Sequence, residues 1–466
     1  MAKKRYTVAV DLGQSSVIVA AGYKDEAGKL QIAAISKHRS EGIKAGRIEN
    51  IAHVNIALSK CIAEIESRLH VKLQLAYGGI SGELVIAHQH RERVNVSEPE
   101  NGVSMGDISM LHTLMERVKP SDRDALLESL PLNYKIDNGN EVTNPVGTFG
   151  HVLSSEFNFV VCEKEALGRV SRAFTLAGIT LKRCFANSVV AAEAVLTYDE
   201  RDNGVALVDL GDGVTNVTIY YRGTLRYIGS IPIGESAINN DLRSLMIQER
   251  SIEQIKRDHG VAIADGVEGC VEIEGRTPRE SRKLLLYNLA AVIESRMLDI
   301  IDFVEREIRD ANYADKLTYG LVLSGGGAKL ALVDRLFERQ LKMPVRIAIP
   351  EDGIGDESLD AVSSPEYATV VGLLKRGVEM DDKGVGKSCT VEIVAEESAT
   401  ADIGDIAAAG QTPYQQELRR KDKEAEAQHD SHDSDDGDDE PVNHTPPFLR
   451  SVTNTINSIF GNQGRK

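Results

Sequence analysis

Two stretches of the chain share one pattern of apolar and polar positions. Each has an apolar run, then an acidic residue with glycine, then a second apolar run: YTVAVDLGQSSVIVAAGY near the N-terminus and VALVDLGDGVTNVTIYY from Val205. Short apolar runs separated by glycine are typical of paired strands. The repeat, at a spacing of about 200 residues, predicts two similar halves with a cleft between them.

Apolar residues at intervals of three and four predict helices between the strand units. The clearest such patterns cover residues 54–69 and 284–308, and a shorter one lies near 107–118. Residues 1–377 therefore alternate between predicted strands and helices, which indicates an α/β fold. The whole chain has 466 residues, more than one hydrophobic core usually fills, so at least two domains are expected.

Charge is concentrated in one late segment of the chain. Residues 378–444 contain 19 acidic and 6 basic residues, so they carry −13 of the net −17, and they include the run HDSHDSDDGDDEP. Few large apolar residues occur there, which predicts a disordered acidic linker. The acidic balance and the absence of Trp argue against nucleic-acid binding. Five scattered cysteines without a C-x-x-C pair argue against a disulfide framework or zinc site.

The last 22 residues, 445–466, lack acidic side chains and have a different pattern. Two prolines precede six large apolar residues that share one helical stripe, which predicts an amphipathic helix. Such a helix is too short to cross a bilayer but can lie in its surface. Docking of this helix on the folded body is the alternative, and the acidic linker favours the membrane. The apolar residues of the stripe are Phe448, Leu449, Val452, Ile456, Ile459 and Phe460.

The first glycine turn has the chemistry of a phosphate site. In DLGQSS, Gly13 permits a tight turn, and the backbone amides and hydroxyls of Gln14, Ser15 and Ser16 can donate to phosphate oxygens. Asp11, at the strand end, can hold Mg²⁺ through water. Taken alone, this motif is equally compatible with a plain hairpin turn.

Two further glycine clusters strengthen a nucleotide interpretation. DLGDGVTN is the matching turn of the second half and contains Asp209, Gly211, Asp212 and Gly213. In LVLSGGGAKL, Gly325, Gly326 and Gly327 follow an apolar strand, where they allow close backbone approach to a ligand. A helix predicted directly after them would add a favourable dipole for negative charge. Together these clusters predict a nucleotide site.

These motifs, in this order, resemble the actin, sugar-kinase and heat-shock chaperone ATPase superfamily. Within it, the FtsA family of bacterial cell-division proteins is the nearest resemblance, through VLTYDERDNGVALVDLGDG, IGESAINNDLR, SIEQIKRDHG and SPEYATVVGLL. The implied architecture is an actin-like two-domain ATPase fold with an inserted subdomain. Its expected parts are subdomain 1A (1–82 and 163–203), the inserted 1C (83–162), 2A (204–248 and 311–377), 2B (249–310), the linker (378–444) and the amphipathic helix (445–466).

The resemblance also implies roles for residues that no local pattern singles out. Glu253 and Lys256 would flank adenine and ribose, although by spacing alone they suggest only an ion pair on one helix face. Asp11, Asp209 and Asn187 would be the catalytic residues, and Asp11 would also hold the Mg²⁺ of ATP through water. Asn187 stands about where vigorous ATPases place a Glu or Gln that orients water, so we expect weak or no ATP hydrolysis.

As a member of such a family, the chain would polymerise on the cytoplasmic face of the cell membrane at the division septum. Its expected partners are the C-terminal peptide of FtsZ, further copies of itself, the anionic membrane surface and later division proteins that bind subdomain 1C. Two alternatives remain open: a pilus-assembly scaffold like PilM, which shares the inserted subdomain, and a sugar or acid kinase of the same superfamily.

Overall fold

The computed structural model describes residues 5–274, 281–384 and 388–392. All of them belong to one compact unit, Met1–Val394, and the second unit, Ala395–Lys466, lies outside the described residues. The predicted amphipathic helix and most of the predicted linker therefore fall outside them as well. No helix among the described residues has the length and apolar character needed to span a membrane.

The first half of the fold is built on a five-stranded sheet. Strand β1 ends in the first glycine turn and pairs with β2 as an antiparallel hairpin, as the repeat predicts. Helix α1 packs on β2 and β3 through buried Val54, Leu58 and Ile65. The elements up to the insertion are β1 (Thr7–Leu12), β2 (Ser16–Lys24), β3 (Leu30–Arg39), β4 (Ile43–Lys44), β5 (Arg47–Ile48), α1 (Ile51–Leu69), β6 (Val71–Leu73) and β7 (Leu75–Ile80).

An inserted subdomain follows, with one helix and an antiparallel sheet of four strands. Its elements are β8 (Val85–Asn95), α2 (Met105–Glu116), β9 (Asp124–Ile136), β10 (Glu141–Val142) and β11 (Val152–Glu163). The sheet order is β10-β9-β11-β8. Apolar side chains of α2 and of one sheet face, including Leu111, Leu153 and Phe157, form a separate core. This subdomain therefore has a core of its own.

After the insertion the chain completes the first sheet and then builds a second of the same plan. The elements are α3 (Lys164–Leu176), β12 (Thr180–Ala186), α4 (Asn187–Val195), α5 (Tyr198–Asn203), β13 (Val205–Leu210), β14 (Thr215–Tyr221) and β15 (Thr224–Ile231). The sheets are ordered β12-β7-β1-β2-β3 and, with two strands defined below, β15-β14-β13-β18-β19. In both, a three-stranded antiparallel meander is extended by two parallel strands.

Helices and one small hairpin complete the second half around its own core. They are α6 (Glu235–Leu242), α7 (Glu249–His259), β16 (Cys270–Ile273), β17 (Arg282–Leu285), α8 (Leu286–Asp310), β18 (Leu321–Ser324), α9 (Val333–Leu341) and β19 (Val345–Ile347). Helix α8 covers the helix predicted at 284–308 except for its first two residues, which belong to β17, and it buries Leu289, Ile293 and Ile300. These side chains pack with those of β13 and β14.

The last described helix leads the chain from the second half back to the first. Helix α10 (Ala368–Asp382) packs against α4 and β1. A side chain at Gly372 would meet the carbonyl oxygen of Val190 at 1.9 Å, so glycine lets the two helices approach closely.

The predicted linker boundary at 378 is wrong, because helix α10 continues to Asp382. Beyond it, β20 (Thr390–Glu392) pairs with β6, and Cys389 is fully buried. The predicted boundary rests on the average charge of residues 378–444, whereas the first apolar residue of that segment is buried in the fold.

Candidate functional site

The two glycine turns have the same local geometry. The amide of Gly13 donates to the carbonyl of Ser16, and that of Gly211 donates to the carbonyl of Val214, both at 3.0 Å. A side chain on either glycine would lie within 2.8 Å of that carbonyl oxygen. Glycine is therefore required in both turns by close backbone approach.

Two aspartates occupy equivalent positions in the two halves. Asp11 is the next-to-last residue of β1, and Asp209 holds the same place in β13. Burial, followed by the negative charge of Asp209, raises the pKa of Asp11 to about 7, against a smaller opposing effect of Asn187. Burial also raises the pKa of Asp209, although hydrogen bonds from Asn216 and Ser324 oppose it. The pair therefore holds negative charge at an energetic cost, which a cation would relieve.

Asn187 begins helix α4 and reaches the first of these aspartates. Its Nδ2 donates to Asp11 Oδ1 at 3.3 Å, and the residue is 7% exposed. Within the described part of the chain its Oδ1 accepts no hydrogen bond. A side chain at Gly79 would lie 1.8 Å from this oxygen, so the glycine makes room for it. Asn187 thus presents an unused acceptor beside a carboxylate.

These oxygens fit a hard cation such as Mg²⁺. Asp11, Asp209 and the free Oδ1 of Asn187 are carboxylate and amide oxygens, which Mg²⁺ prefers together with retained water. Among residues 5–274, 281–384 and 388–392, no group of three or more His, Cys, Asp or Glu side chains could hold a metal ion. An ion at this place would complete its coordination with water or ligand oxygens.

The second turn is also tied to the first half by an asparagine. Nδ2 of Asn216 donates to Ser81 Oγ at 3.0 Å and to Asp209 Oδ2 at 3.2 Å. Ser81 follows β7 of the first sheet, so this contact spans the two halves. The sequence analysis did not single out Ser81 or Asn216, because their partners are 135 residues apart.

The three consecutive glycines have different surroundings. Gly325 has a φ of 83°, and a side chain there would meet Asp209 Oδ1 at 2.5 Å. A side chain at Gly327 would lie 3.0 Å from Leu210 Cβ, whereas one at Gly326 would meet only Glu235 Oε2, at 3.8 Å. Gly325 and Gly327 are thus needed for packing and backbone conformation, and Gly326 faces open space.

The helix predicted directly after these glycines is not formed. Residues Gly326–Lys329 make a single 3₁₀ turn, and the α-helix, α9, starts only at Val333. The expected helix dipole at the glycines is therefore absent from this position. Three adjacent glycines disfavour a helical start, since each costs conformational entropy in a helix.

Glu253 and Lys256 do form the ion pair that their spacing suggests, but the lysine is buried while Glu253 is exposed. Lys256 is 3% exposed, and its Nζ lies 2.8 Å from Glu235 Oε1 and 2.9 Å from Glu253 Oε2. Burial favours the neutral amine, yet the two carboxylates outweigh it and raise the pKa of Lys256. One buried ammonium thus bridges α6 and α7.

A cleft of about 940 Å³ lies between these elements. Seven of the predicted site residues line it: Gln14, Ser15, Ser16, Asp212, Glu253, Lys256 and Gly326. Asp11, Asn187 and Asp209 are not among its lining residues. A further cluster at the cleft was not predicted from the sequence: Lys37 and Lys329 both pair with Glu366, at 2.8 and 2.6 Å. These residues come from three separate segments, and no local motif marks them.

The fold places the chain in a known structural class. Two similar sheets on either side of a cleft, joined by packed helices α4 and α10 and interrupted by a four-stranded subdomain, define an actin-like α/β fold. A solved structure titled "PilM-PilN type IV pilus biogenesis complex" shares this fold. Its TM-score is 0.57 at 14% identity, and the match covers 80% of this chain and 98% of that one.

Sequence comparison then gives the family. The model "Cell division protein FtsA" matches residues 206–372, and "SHS2 domain inserted in FTSA" matches residues 82–161. The FtsA cell-division protein of Pseudomonas aeruginosa is 29% identical, over 82% of this chain and 91% of its own length. The FtsA protein of Escherichia coli is 26% identical, over 86% of this chain and 95% of its own length. The chain belongs to the FtsA family of cell-division proteins, and the predicted fold class and resemblance are confirmed.

Proposed function

We propose that the chain is an ATP-binding scaffold of cell division that polymerises on the cytoplasmic face of the membrane. In this role it attaches FtsZ filaments to the membrane and recruits later division proteins. Family membership supports the division role. The observation that carries the nucleotide-binding part is the equivalent placement of Asp11 and Asp209 before two glycine turns of the same local geometry, both of which line one cleft.

Each part of the cleft suits one part of a nucleotide. The two turns, with the serines at 15 and 16, offer polar donors for phosphates, and Mg²⁺, when bound, would neutralise phosphate charge. Gly326 leaves open space where a flat base or a sugar could approach the backbone. Glu253, half-exposed beside buried Lys256, provides carboxylate oxygens for ribose hydroxyls. These assignments place phosphates between the turns and adenosine between α7 and Gly326.

We propose that hydrolysis at this site is slow. The side chain that donates to Asp11 is the amide of Asn187, whose Nδ2 is thus already engaged by that carboxylate. An amide is a poor general base, and in-line phosphoryl transfer needs an oriented water. The chain therefore retains ATP rather than turning it over rapidly, and a turnover like that of chaperone ATPases would contradict this.

A variant at Gly326 tests the nucleotide site directly. A valine side chain at this position would not clash with the protein but would fill part of the cleft. We therefore expect at least about tenfold weaker Mg-ATP binding in calorimetry and an unchanged melting temperature. Gly168→Val, at an open position in helix α3, is the matched control and should bind like the wild type. Absence of Mg-ATP binding by the wild type would overturn the proposed site.

Localisation and peptide binding test the division role. A fluorescent fusion of the full chain should gather at midcell, and the full chain should bind the C-terminal peptide of FtsZ. By family resemblance this contact falls on residues 249–310, which include α7 and α8. Subdomain 1C, with its separate core, is the proposed contact for later division proteins and neighbouring copies. A diffuse fusion that binds no FtsZ peptide would contradict the proposal and leave the pilus-scaffold alternative.

A further inference from the structure

The side chain of Gln14 crosses the cleft and connects its two walls. Its Nε2 donates to Asp212 Oδ2 at 2.7 Å and to Ser236 Oγ at 3.3 Å. Its Oε1 accepts from the backbone amide of Ala45 at 2.9 Å. One amide from the first turn is thus bonded to both halves of the molecule. The carboxylate of Asp212, in the second turn, is thereby held facing the first turn.

The second turn is shaped to receive this side chain. A Cβ at Gly213 would lie 1.9 Å from Gln14 Oε1, so any other residue would displace Gln14. The backbone carbonyl of Asp212 accepts from the amide and the hydroxyl of Ser236, at 2.8 and 2.7 Å. The position of Asp212 is therefore determined by its backbone as well as by its side chain.

Asp212 forms no ion pair with any Lys or Arg side chain in the described part of the chain. Burial raises its pKa, Gln14 opposes the shift, and the charges that act on it are those of Glu235, Lys256 and Glu253. Lys256, the cation among these three groups, already pairs with both glutamates. Around Asp212, therefore, the ammonium of Lys256 is shared by two other carboxylates, and Asp212 is the carboxylate that faces the first turn.

We propose that Asp212, oriented by Gln14, determines how many phosphates the site accepts: without a divalent cation it disfavours a nucleoside triphosphate relative to a diphosphate. This inference rests on the proposed nucleotide site and adds a specificity-determining residue to it. Each added phosphate brings negative charge close to a fixed carboxylate in a partly desolvated cleft, where like charges repel strongly. A divalent cation between them removes most of that penalty.

The test compares ATP and ADP affinities of the full chain, by calorimetry at about pH 8, where carboxylates are ionised. With EDTA, we expect the wild type to bind ADP about tenfold more tightly than ATP. With Mg²⁺, this ratio of ADP affinity to ATP affinity should fall to about threefold or less. Asp212→Asn keeps the shape and removes the charge, so its ratio in EDTA should fall to about threefold or less.

Two further variants serve as controls. One removes a negative charge elsewhere in the same half, and the other removes the contact between Gln14 and Asp212. Asp302→Asn removes one charge from an exposed position of helix α8 in the same half, and should keep the wild-type ratio. Gln14→Ala removes the contact but keeps the carboxylate of Asp212, whose backbone is still held by Ser236. Discrimination against ATP should therefore persist. A melting temperature of Asp212→Asn close to that of the wild type shows that the fold is retained.

The outcomes distinguish this inference from the proposed function. If both nucleotides bind and the EDTA ratio is the same in the wild type and Asp212→Asn, the inference is overturned while the nucleotide site stands. Loss of discrimination in Gln14→Ala but not in Asp212→Asn would also overturn it. If the wild type binds neither nucleotide in either buffer, the nucleotide site itself is refuted, and this inference with it.

Discussion

Gly213 and Gln14 meet across the cleft with no space for a methyl group between them. Contacts of this kind show how single residues set the geometry of the candidate site. Gly325 is another example, since its positive φ and its closeness to Asp209 both exclude a side chain. In each case the absence of a side chain brings polar groups from distant segments together.

A double-mutant cycle at these two positions tests the close fit. Gly213→Ala should destabilise the wild type by about 2 kcal/mol, because the new Cβ displaces Gln14. In a Gln14→Ala background the same substitution should cost less than about 0.5 kcal/mol, which gives a coupling of about 1.5 kcal/mol. Urea denaturation of the four proteins measures the cycle. Equal costs in both backgrounds would show that the contact is not close in solution.

Lys256 shows the limit of sequence-based prediction at the residue scale. Its spacing from Glu253 correctly predicts an ion pair, but the burial of the lysine was not foreseen. The burial depends on α6, whose Glu235 supplies the second carboxylate from 21 residues away. Residue spacing within one helix contains no information about a neighbouring helix, so only the folded structure identifies this bridge.

At the scale of elements, helix α2 of the inserted subdomain begins with a reciprocal cap. Ser104 is the N-cap, and the carboxylate of Asp107 accepts from the amide and hydroxyl of both Ser97 and Ser104, at 2.7 to 2.9 Å. These hydrogen bonds hold the pKa of Asp107 well below its usual range. The cap also explains why the helix starts at Met105, two residues before the start predicted from apolar spacing.

Replacing Asp107 by asparagine should destabilise the subdomain by about 2 kcal/mol near neutral pH, because charge-assisted hydrogen bonds are lost. The pKa is lower in the folded than in the unfolded state. The stabilisation is therefore complete above about pH 4 and is lost as the pH falls further. Thermal unfolding from about pH 7 to 3 should show the difference from wild type shrinking only at the acidic end.

The control for this prediction is Asp122→Asn, an exposed aspartate of the same subdomain. Its melting temperature should follow that of the wild type at every pH. A stability difference for Asp107→Asn that stays constant down to the lowest pH would contradict the role of the ionised carboxylate.

At the scale of the whole molecule, the proposed membrane attachment depends on residues 445–466, which lie outside the described residues. Deleting them should abolish co-sedimentation of the full chain with anionic liposomes. Ile456→Glu places a charge on the apolar stripe and should weaken binding about tenfold or more, given the transfer free energy of one isoleucine.

Asn457→Glu is the matched control for the tail, because it adds the same charge one position further along, opposite the stripe. It should bind liposomes much better than Ile456→Glu. Unchanged co-sedimentation after deletion of residues 445–466 would rule out this segment as the anchor. Equal losses in the two point variants would show that net charge, and not the stripe, controls binding.

The sequence by itself determined the local geometry of the two halves. Each glycine turn closes by a hydrogen bond between residues three apart, and each apolar run pairs with the next one along the chain. Only the tertiary structure decided which groups meet across the cleft. Asn187 reaches Asp11 over 176 residues, and Gln14 reaches Asp212 over 198. Local backbone preferences depend on neighbouring residues, whereas these contacts depend on how sheets and helices pack.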